Sequence, residues 1–189
     1  MQPCLKAAKE LVGKILVRVK EDRIYSGKIV ETEAYLGSRD AASHSYKGLT
    51  QRNRFMFSEG GIAYVYFTYG NHYCINAVIG KEGTAHAVLI RAVEPLTGIE
   101  YMKKNRGIND IYSLCSGPGK LTKAMEISTS LNGENLSGDV LFITEPGGLH
   151  KPVIKRTKRI GITKNTDVLY RFIEKGSNFI SRSKFNRIT

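Results

Sequence analysis

A chain of 189 residues, 41% hydrophobic and 24% charged, is long enough to bury its own core, and its composition excludes disordered and collagen-like classes. Its 29 Lys and Arg against 17 Asp and Glu leave a net charge of +12, which points to a polyanionic partner, nucleic acid or an anionic surface. Cys4, Cys74 and Cys115 lack metal-ligand spacing, the N-terminus lacks a signal-peptide core, and no run nears the roughly 20 apolar residues of a membrane span. These features predict a soluble intracellular protein with free thiols, no membrane segment and no metal site.

In chain order, apolar positions Leu5, Ala8, Leu11 and Val12 predict a short amphipathic helix over residues 4–12. Residues 15–19 and 25–35 read as strands around a turn at Glu21 and Asp22. Residues 38–61 form a polar loop, long enough to be functional by its length alone. The β-rich runs 63–69 and 73–79 flank Gly70-Asn71, a strong hairpin signal. Residues 85–93 predict a buried strand, and a helix is expected from Pro95 to about residue 105. A further helix is expected over 120–127, with Pro118 in its first turn, and short strands over 140–143 and 159–163. The mixed order predicts an α+β fold, and no composition break divides residues 1–189, so a single domain is expected.

Glu31, Glu33 and Tyr35 alternate along one strand and therefore share a face, with the two carboxylates about 7 Å apart. If that face is buried, desolvation and mutual repulsion raise one carboxyl pKa, as a general base requires. On spacing alone an exposed polar face is the simpler reading. Tyr64 and Tyr66 share a face of the first hairpin strand, and Tyr69 ends it at the tip, where an aromatic ring is placed to wedge between bases. Cross-strand aromatic packing accounts equally well for these rings. Arg91 lies inside an apolar strand and needs a partner, since an unpaired buried charge is very costly. His44 lies in the long loop and Asn76 in the second hairpin strand. The segment Leu114-Cys-Ser-Gly-Pro-Gly-Lys-Leu121 fails the phosphate-loop pattern, because Leu121 follows Gly119-Lys120 and no glycine stands five residues before Gly119. It still offers backbone N–H groups and Lys120 to a single phosphate. Six basic residues between 151 and 164 (Lys151, Lys155, Arg156, Lys158, Arg159, Lys164) stand without an acid, and Lys103, Lys104 and Arg106 form a second group.

Taken together, the order of these signals closely resembles the alkyladenine (3-methyladenine) DNA glycosylase family. The matching stretches are Ile29-Val-Glu-Thr-Glu-Ala-Tyr-Leu-Gly37, Arg52-Asn-Arg54, Tyr64-Val-Tyr-Phe-Thr-Tyr-Gly70 with Asn76, Val88-Leu-Ile-Arg-Ala-Val-Glu-Pro-Leu96, Leu114 to Leu121, and Arg159-Ile-Gly-Ile162. Ser43 departs from the small apolar residue more usual before the pocket histidine. The resemblance implies a compact domain with a curved, mainly antiparallel sheet flanked by helices and a protruding β-hairpin. It also implies catalysis without metal or organic cofactor, on double-stranded DNA carrying a damaged purine, by a monomer.

Position by position, the resemblance makes Glu33 the general base that deprotonates a water held by Arg91 and the Ile162 carbonyl. It makes Tyr35 and Tyr66 the walls around a flipped base, with His44 closing the slot. Tyr69 becomes the wedge that fills the gap left in the duplex, and Asn76 the amide that disfavours guanine's exocyclic amino group. The implied reaction is excision of alkylated purines, and of hypoxanthine, by hydrolysis alone, since no lysine stands among the matched catalytic positions. Two other readings remain open at this stage: a module that stacks on splayed bases without cutting, and a metal-dependent nuclease built on Glu31 and Glu33.

Overall fold

The computed structural model describes residues 3–68, 70–148 and 151–186. Eight strands form one curled antiparallel sheet: β1 (Ile15–Lys20), β2 (Arg23–Leu36), β3 (Ala63–Thr68), β4 (His72–Ile79), β5 (His86–Thr97), β6 (Leu141–Thr144), β7 (Ile154–Thr157) and β8 (Arg171–Glu174). The main path runs β3-β4-β5-β2-β1-β6, and β8 joins β2 and carries β7 outside it. The helices are α1 (Pro3–Leu11), α2 (Ile99–Arg106), α3 (Ile111–Leu114) and α4 (Pro118–Ala124). The α+β expectation is met. Among the described residues no helix is long and apolar enough to cross a membrane.

β2 organises the molecule. Its first half pairs with β1, its whole later length with β5, and residues 31–33 with β8. Two irregularities interrupt the β2–β5 ladder beside Glu31. Ile29 pairs with Val93, Glu31 with Ala92, and Thr32 with Ile90, so Val30 is the extra residue on β2 and Arg91 the extra residue on β5. A bulge bends its strand and re-aims the side chains around it. Beyond it the pairing is regular, and the face that carries Glu33 and Tyr35 also carries Leu89 and Ala87 opposite them.

The other face of this sheet is covered. Ile29, Val65, Ile75, Ala77, Ile90 and Val93 pack with Met102, Leu114, Leu121 and Ala124 from the helical layer. Leu121 is fully buried there. Truncating a leucine in such a setting to alanine costs about 2–5 kcal/mol. At the far end of β2, α1 lays Cys4, Leu5 and Ala8 against Ala34, Leu36, Val88 and Phe172. Thr32 Oγ1 donates to the Ala8 carbonyl at 2.7 Å, which pins the helix to the back of the strand.

Two expectations from sequence need correction. No helix starts at Pro95: β5 continues to Thr97, with Pro95 opposite Gly27 at another register shift, where a residue without an N–H is tolerated. The turn to α2 falls instead at Gly98, whose φ of 77° and close approach to the Ile24 carbonyl leave no room for a side chain. Residues 159–163 form no strand; the strand of this region is β7, and the chain after it curls over the open sheet face. Gly161, at φ 73°, and the burial of Arg159 turn the backbone away from the sheet edge. The segment β8 carried no strand expectation at all, being only Arg171-Phe-Ile-Glu174.

Antiparallel pairing of β3 with β4 runs from Ala63↔Ala77 to Thr68↔His72. The turn closes with Gly70 at φ 71°. Tyr69, expected at this tip, lies outside the described residues.

Candidate active site

The open face of the sheet forms the floor of a cavity of about 500 Å³. Strand alternation places its residues: Tyr64, Tyr66 and Thr68 on β3, Cys74 and Asn76 on β4, and Ala87, Leu89 and Arg91 on β5, beside Tyr35 on β2. Two loops form the rim, residues 41–44 and residues 160–164. Every residue expected from sequence to touch a flipped base (Tyr35, His44, Tyr66 and Asn76) lines this one cavity, together with Arg91 and Ile162.

Glu33 is fully buried and lies behind the wall that Tyr35, Arg91 and Ile160 form. Its Oε2 accepts from the Tyr35 hydroxyl at 2.8 Å and from Arg91 Nη1 at 3.3 Å. Its Oε1 accepts from the Ile160 N–H at 2.7 Å. A carboxylate offers about four acceptor sites, so three bonds leave one on Oε1. The resemblance assigned this loop only the Ile162 carbonyl, as a partner for the water; the Ile160 N–H bond to Glu33 is a further contact that it did not name.

Glu31 has a different task. Its carboxylate accepts from Arg91 Nε at 2.8 Å, Arg171 Nε at 2.7 Å and the Ser181 N–H at 2.6 Å. The expected rise in a carboxyl pKa fails for Glu31. Burial pushes the value up, but the guanidiniums of Arg91 and Arg171 outweigh it and hold it below the ordinary range. Repulsion between the two glutamates is absorbed by Arg91, which touches both. Burial disfavours the Arg91 charge, yet Glu33 and Glu31 more than compensate and raise its pKa. The Glu31 carboxylate is thus taken up by two arginines, and among the described residues no three His, Cys, Asp or Glu side chains gather as metal ligands.

The aromatic wall is layered. Tyr66 stacks on Tyr64 with centroids 5.2 Å apart, and His44 meets Tyr66 edge-on at 4.4 Å. His44 Nδ1 shares a hydrogen bond with the Tyr64 hydroxyl at 3.2 Å. His44 is exposed at the rim, yet desolvation and then the positive charge of Arg52 lower its pKa. Burial, followed by the Cys74 thiol, raises that of Tyr66. All these groups are therefore uncharged around neutral pH. Arg52 donates to the Phe67 carbonyl at 2.7 Å and lies 5.7 Å from the Tyr66 ring centre. Asn53 ties the long loop together, donating to the His44 and Gly48 carbonyls, each at 3.0 Å. That loop is ordered by its own amide hub, which the Arg52-Asn-Arg54 stretch carried without any local pattern to announce it.

Asn76 is buried and donates through Nδ2 to the Tyr64 carbonyl at 3.0 Å. Lys120 does not line the cavity; its Nζ donates to Ser116 Oγ at 3.4 Å, while Pro118 of the same segment reaches the rim. Gly119 packs so closely on His72 that a Cβ would lie 2.9 Å from its ring, which fixes α4 against the turn end of the β3–β4 pair.

The cavity thus sets aromatic side chains one hydrogen bond from a buried carboxyl group, on a protein of net charge +12. The chain belongs to the methylpurine-DNA glycosylase family, whose description matches residues 1–178. Relatives provisionally named 3-methyladenine DNA glycosylase include one from Chlorobium phaeobacteroides, 50% identical over 97% of this chain and 92% of its own. Another, from Methanoculleus marisnigri, is 48% identical over 93% and 92% of the two chains. One from Francisella tularensis subsp. tularensis is 46% identical over 94% and 93%.

Proposed function

We propose that this protein excises alkylated purines of the 3-methyladenine type, and hypoxanthine, from double-stranded DNA, after flipping the damaged nucleotide into the cavity. The observation that carries the reading is Glu33: a fully buried carboxyl group, held by three donors, with one acceptor position left on Oε1. A module that merely stacks on bases gains nothing from burying a carboxyl beside a polyanion, because the desolvation is costly.

In this account the flipped base lies between Tyr35 and Tyr66, with His44 at its edge and Asn76 at the purine's amino side. A cationic ring is attracted to the aromatic faces. A water on Oε1, steadied by Arg91 and the loop of Ile162, gives its proton to Glu33. Its oxygen bonds to C1′ while the C1′–N9 bond breaks. The bonding pair passes to N9 and neutralises the alkylated ring, and the carboxylate meanwhile faces an oxocarbenium-like sugar. The products are free base and an abasic site.

Tyr69 fills the gap in the duplex, and Lys120 meets a phosphate beside it. Water is the nucleophile, so no covalent enzyme–DNA adduct forms. Lys164, exposed on the rim, is the group whose amine a borohydride trap would catch if that were wrong.

The test is single-turnover incubation with duplexes carrying one hypoxanthine or one methylated purine, with EDTA present. Release of free base and alkali-labile sites, without a borohydride-trapped adduct, supports the reading. Binding without release leaves the stacking module as the better account.

A further inference from the structure

Arg159 stands out as a buried charge that the reaction does not use. In sequence it is one of six basic residues between 151 and 164, yet only 2% of its surface is accessible and it does not line the cavity. Its guanidinium lies over the Tyr35 ring, 4.6 Å from the centroid, with the Tyr170 ring 5.4 Å away. Because Tyr35 lines the cavity and Arg159 does not, the face that Arg159 covers is the one turned away from the cavity. In the proposed reading a base in the slot and Arg159 meet opposite faces of one aromatic ring.

A bare cation behind the ring would draw its electron density backward and weaken the pull on a cationic base in front. Asp40 opposes this. It is fully buried and takes both guanidinium Nη groups, Nη2 at 2.9 Å. The same carboxylate accepts from the Leu36 N–H at 3.3 Å, the Ala42 N–H at 3.2 Å and Asn165 Nδ2 at 3.0 Å. Asp40 thus joins the end of β2 to residue 42 of one rim loop and to Arg159 and Asn165, which flank the other, residues 160–164. Arg159 adds a bond to the Ala34 carbonyl at 2.9 Å, one residue before Tyr35.

We propose that the Asp40–Arg159 pair is a charge-compensated backing for Tyr35, positioning the ring and setting how strongly the pocket prefers cationic over neutral bases. The inference rests on the proposed reading of the cavity as a base pocket. Neither residue touches substrate; both act through Tyr35.

The two charges make opposite predictions, which a structural role alone does not. Asp40→Asn leaves a net positive charge behind the ring and lowers the preference for a cationic base. Arg159→Gln leaves a net negative charge there and raises it. The readout is the ratio of dissociation constants for duplexes carrying 7-methylguanine, a cation, and hypoxanthine, which is neutral, each with a 2′-fluoro sugar that resists cleavage. A ratio cancels the fraction of folded protein. Shifts of roughly threefold to thirtyfold in opposite directions are expected. Shifts of the same sign in both variants, or none, overturn the proposal. If Asp40→Asn yields no folded protein, a rise in the ratio for Arg159→Gln still supports the proposal, and an unchanged or lowered ratio overturns it. Wild-type protein that binds neither lesion better than undamaged duplex overturns the base-pocket reading instead.

Discussion

The Tyr35 hydroxyl donates to Oε2 of Glu33 at 2.8 Å, so a wall of the cavity and the carboxyl behind it are joined within one strand, two residues apart. In the proposed reading Tyr35 thereby has two separable functions, its ring for the base and its hydroxyl for Glu33. Burial, with Glu33 alongside, lifts the phenol pKa well above its ordinary value, so the hydroxyl keeps its proton as a donor. Tyr35→Phe keeps the ring and removes the bond. We expect the single-turnover excision rate to fall about tenfold, as for a hydrogen bond to a charged group, with lesion affinity changed less than about twofold. Equal losses in rate and affinity would assign the whole effect to the ring.

Glu31 holds Arg91 and Arg171 together, and Glu31→Gln leaves two buried guanidiniums short of a shared anion. A loss of about 3–5 kcal/mol in unfolding free energy at pH 7 is expected. The sign with pH follows from the lowered pKa of Glu31. Its stabilisation is fully present above the ordinary carboxyl value of 4.5 and is lost as pH falls through the depressed folded value. Asp40, also lowered because Arg159 and Asn165 outweigh its burial, behaves likewise from 3.8 downward. Urea unfolding of wild type and Glu31→Gln should therefore differ most at pH 7 and converge under strong acid. A gap that stays constant with pH would contradict the assignment.

Local periodicity made half of this site legible. Alternation put Glu31, Glu33 and Tyr35 on one face, and the hairpin signal put Tyr64 and Tyr66 together on one face of its first strand. The need for a partner marked Arg91, which pairs with both glutamates. What alternation does not encode is the pair of bulges at Val30 and Arg91, since neither is marked by glycine or proline. Nor does it encode contacts between distant segments. Asp40 and Arg159 are 119 residues apart, and Glu31 and Ser181 are 150 apart. Arg159 read as one of six basic residues in a run without an acid, because composition carries no information about depth. One of two acids in a polar loop, with Glu59, and the second of the pair Lys158-Arg159 before Ile-Gly-Ile were the traces each left. β8 was missed because four residues with Arg and Glu at the ends show no apolar pattern, although all four are buried.

His44 is expected to be neutral at pH 7. Desolvation first, and Arg52 second, lower its pKa below 6.5, so protonation is disfavoured and no imidazolium repels a cationic base. In a pH titration of the ring-proton resonances, the midpoint should lie below 6.5. Arg52→Gln should move it upward while leaving it below that value, because the desolvation remains. A wild-type midpoint at or above 6.5, or one insensitive to Arg52, would remove this account of the rim.

The most direct test of the central claim is excision by Glu33→Gln beside wild type, under single-turnover conditions with EDTA, on a duplex carrying one methylated purine. Glutamine preserves the size of the side chain but is no longer a carboxylate base. The account predicts unchanged circular dichroism, retained lesion binding and a rate lowered by roughly 10²–10⁴-fold. A folded variant that releases the base at the wild-type rate would contradict it.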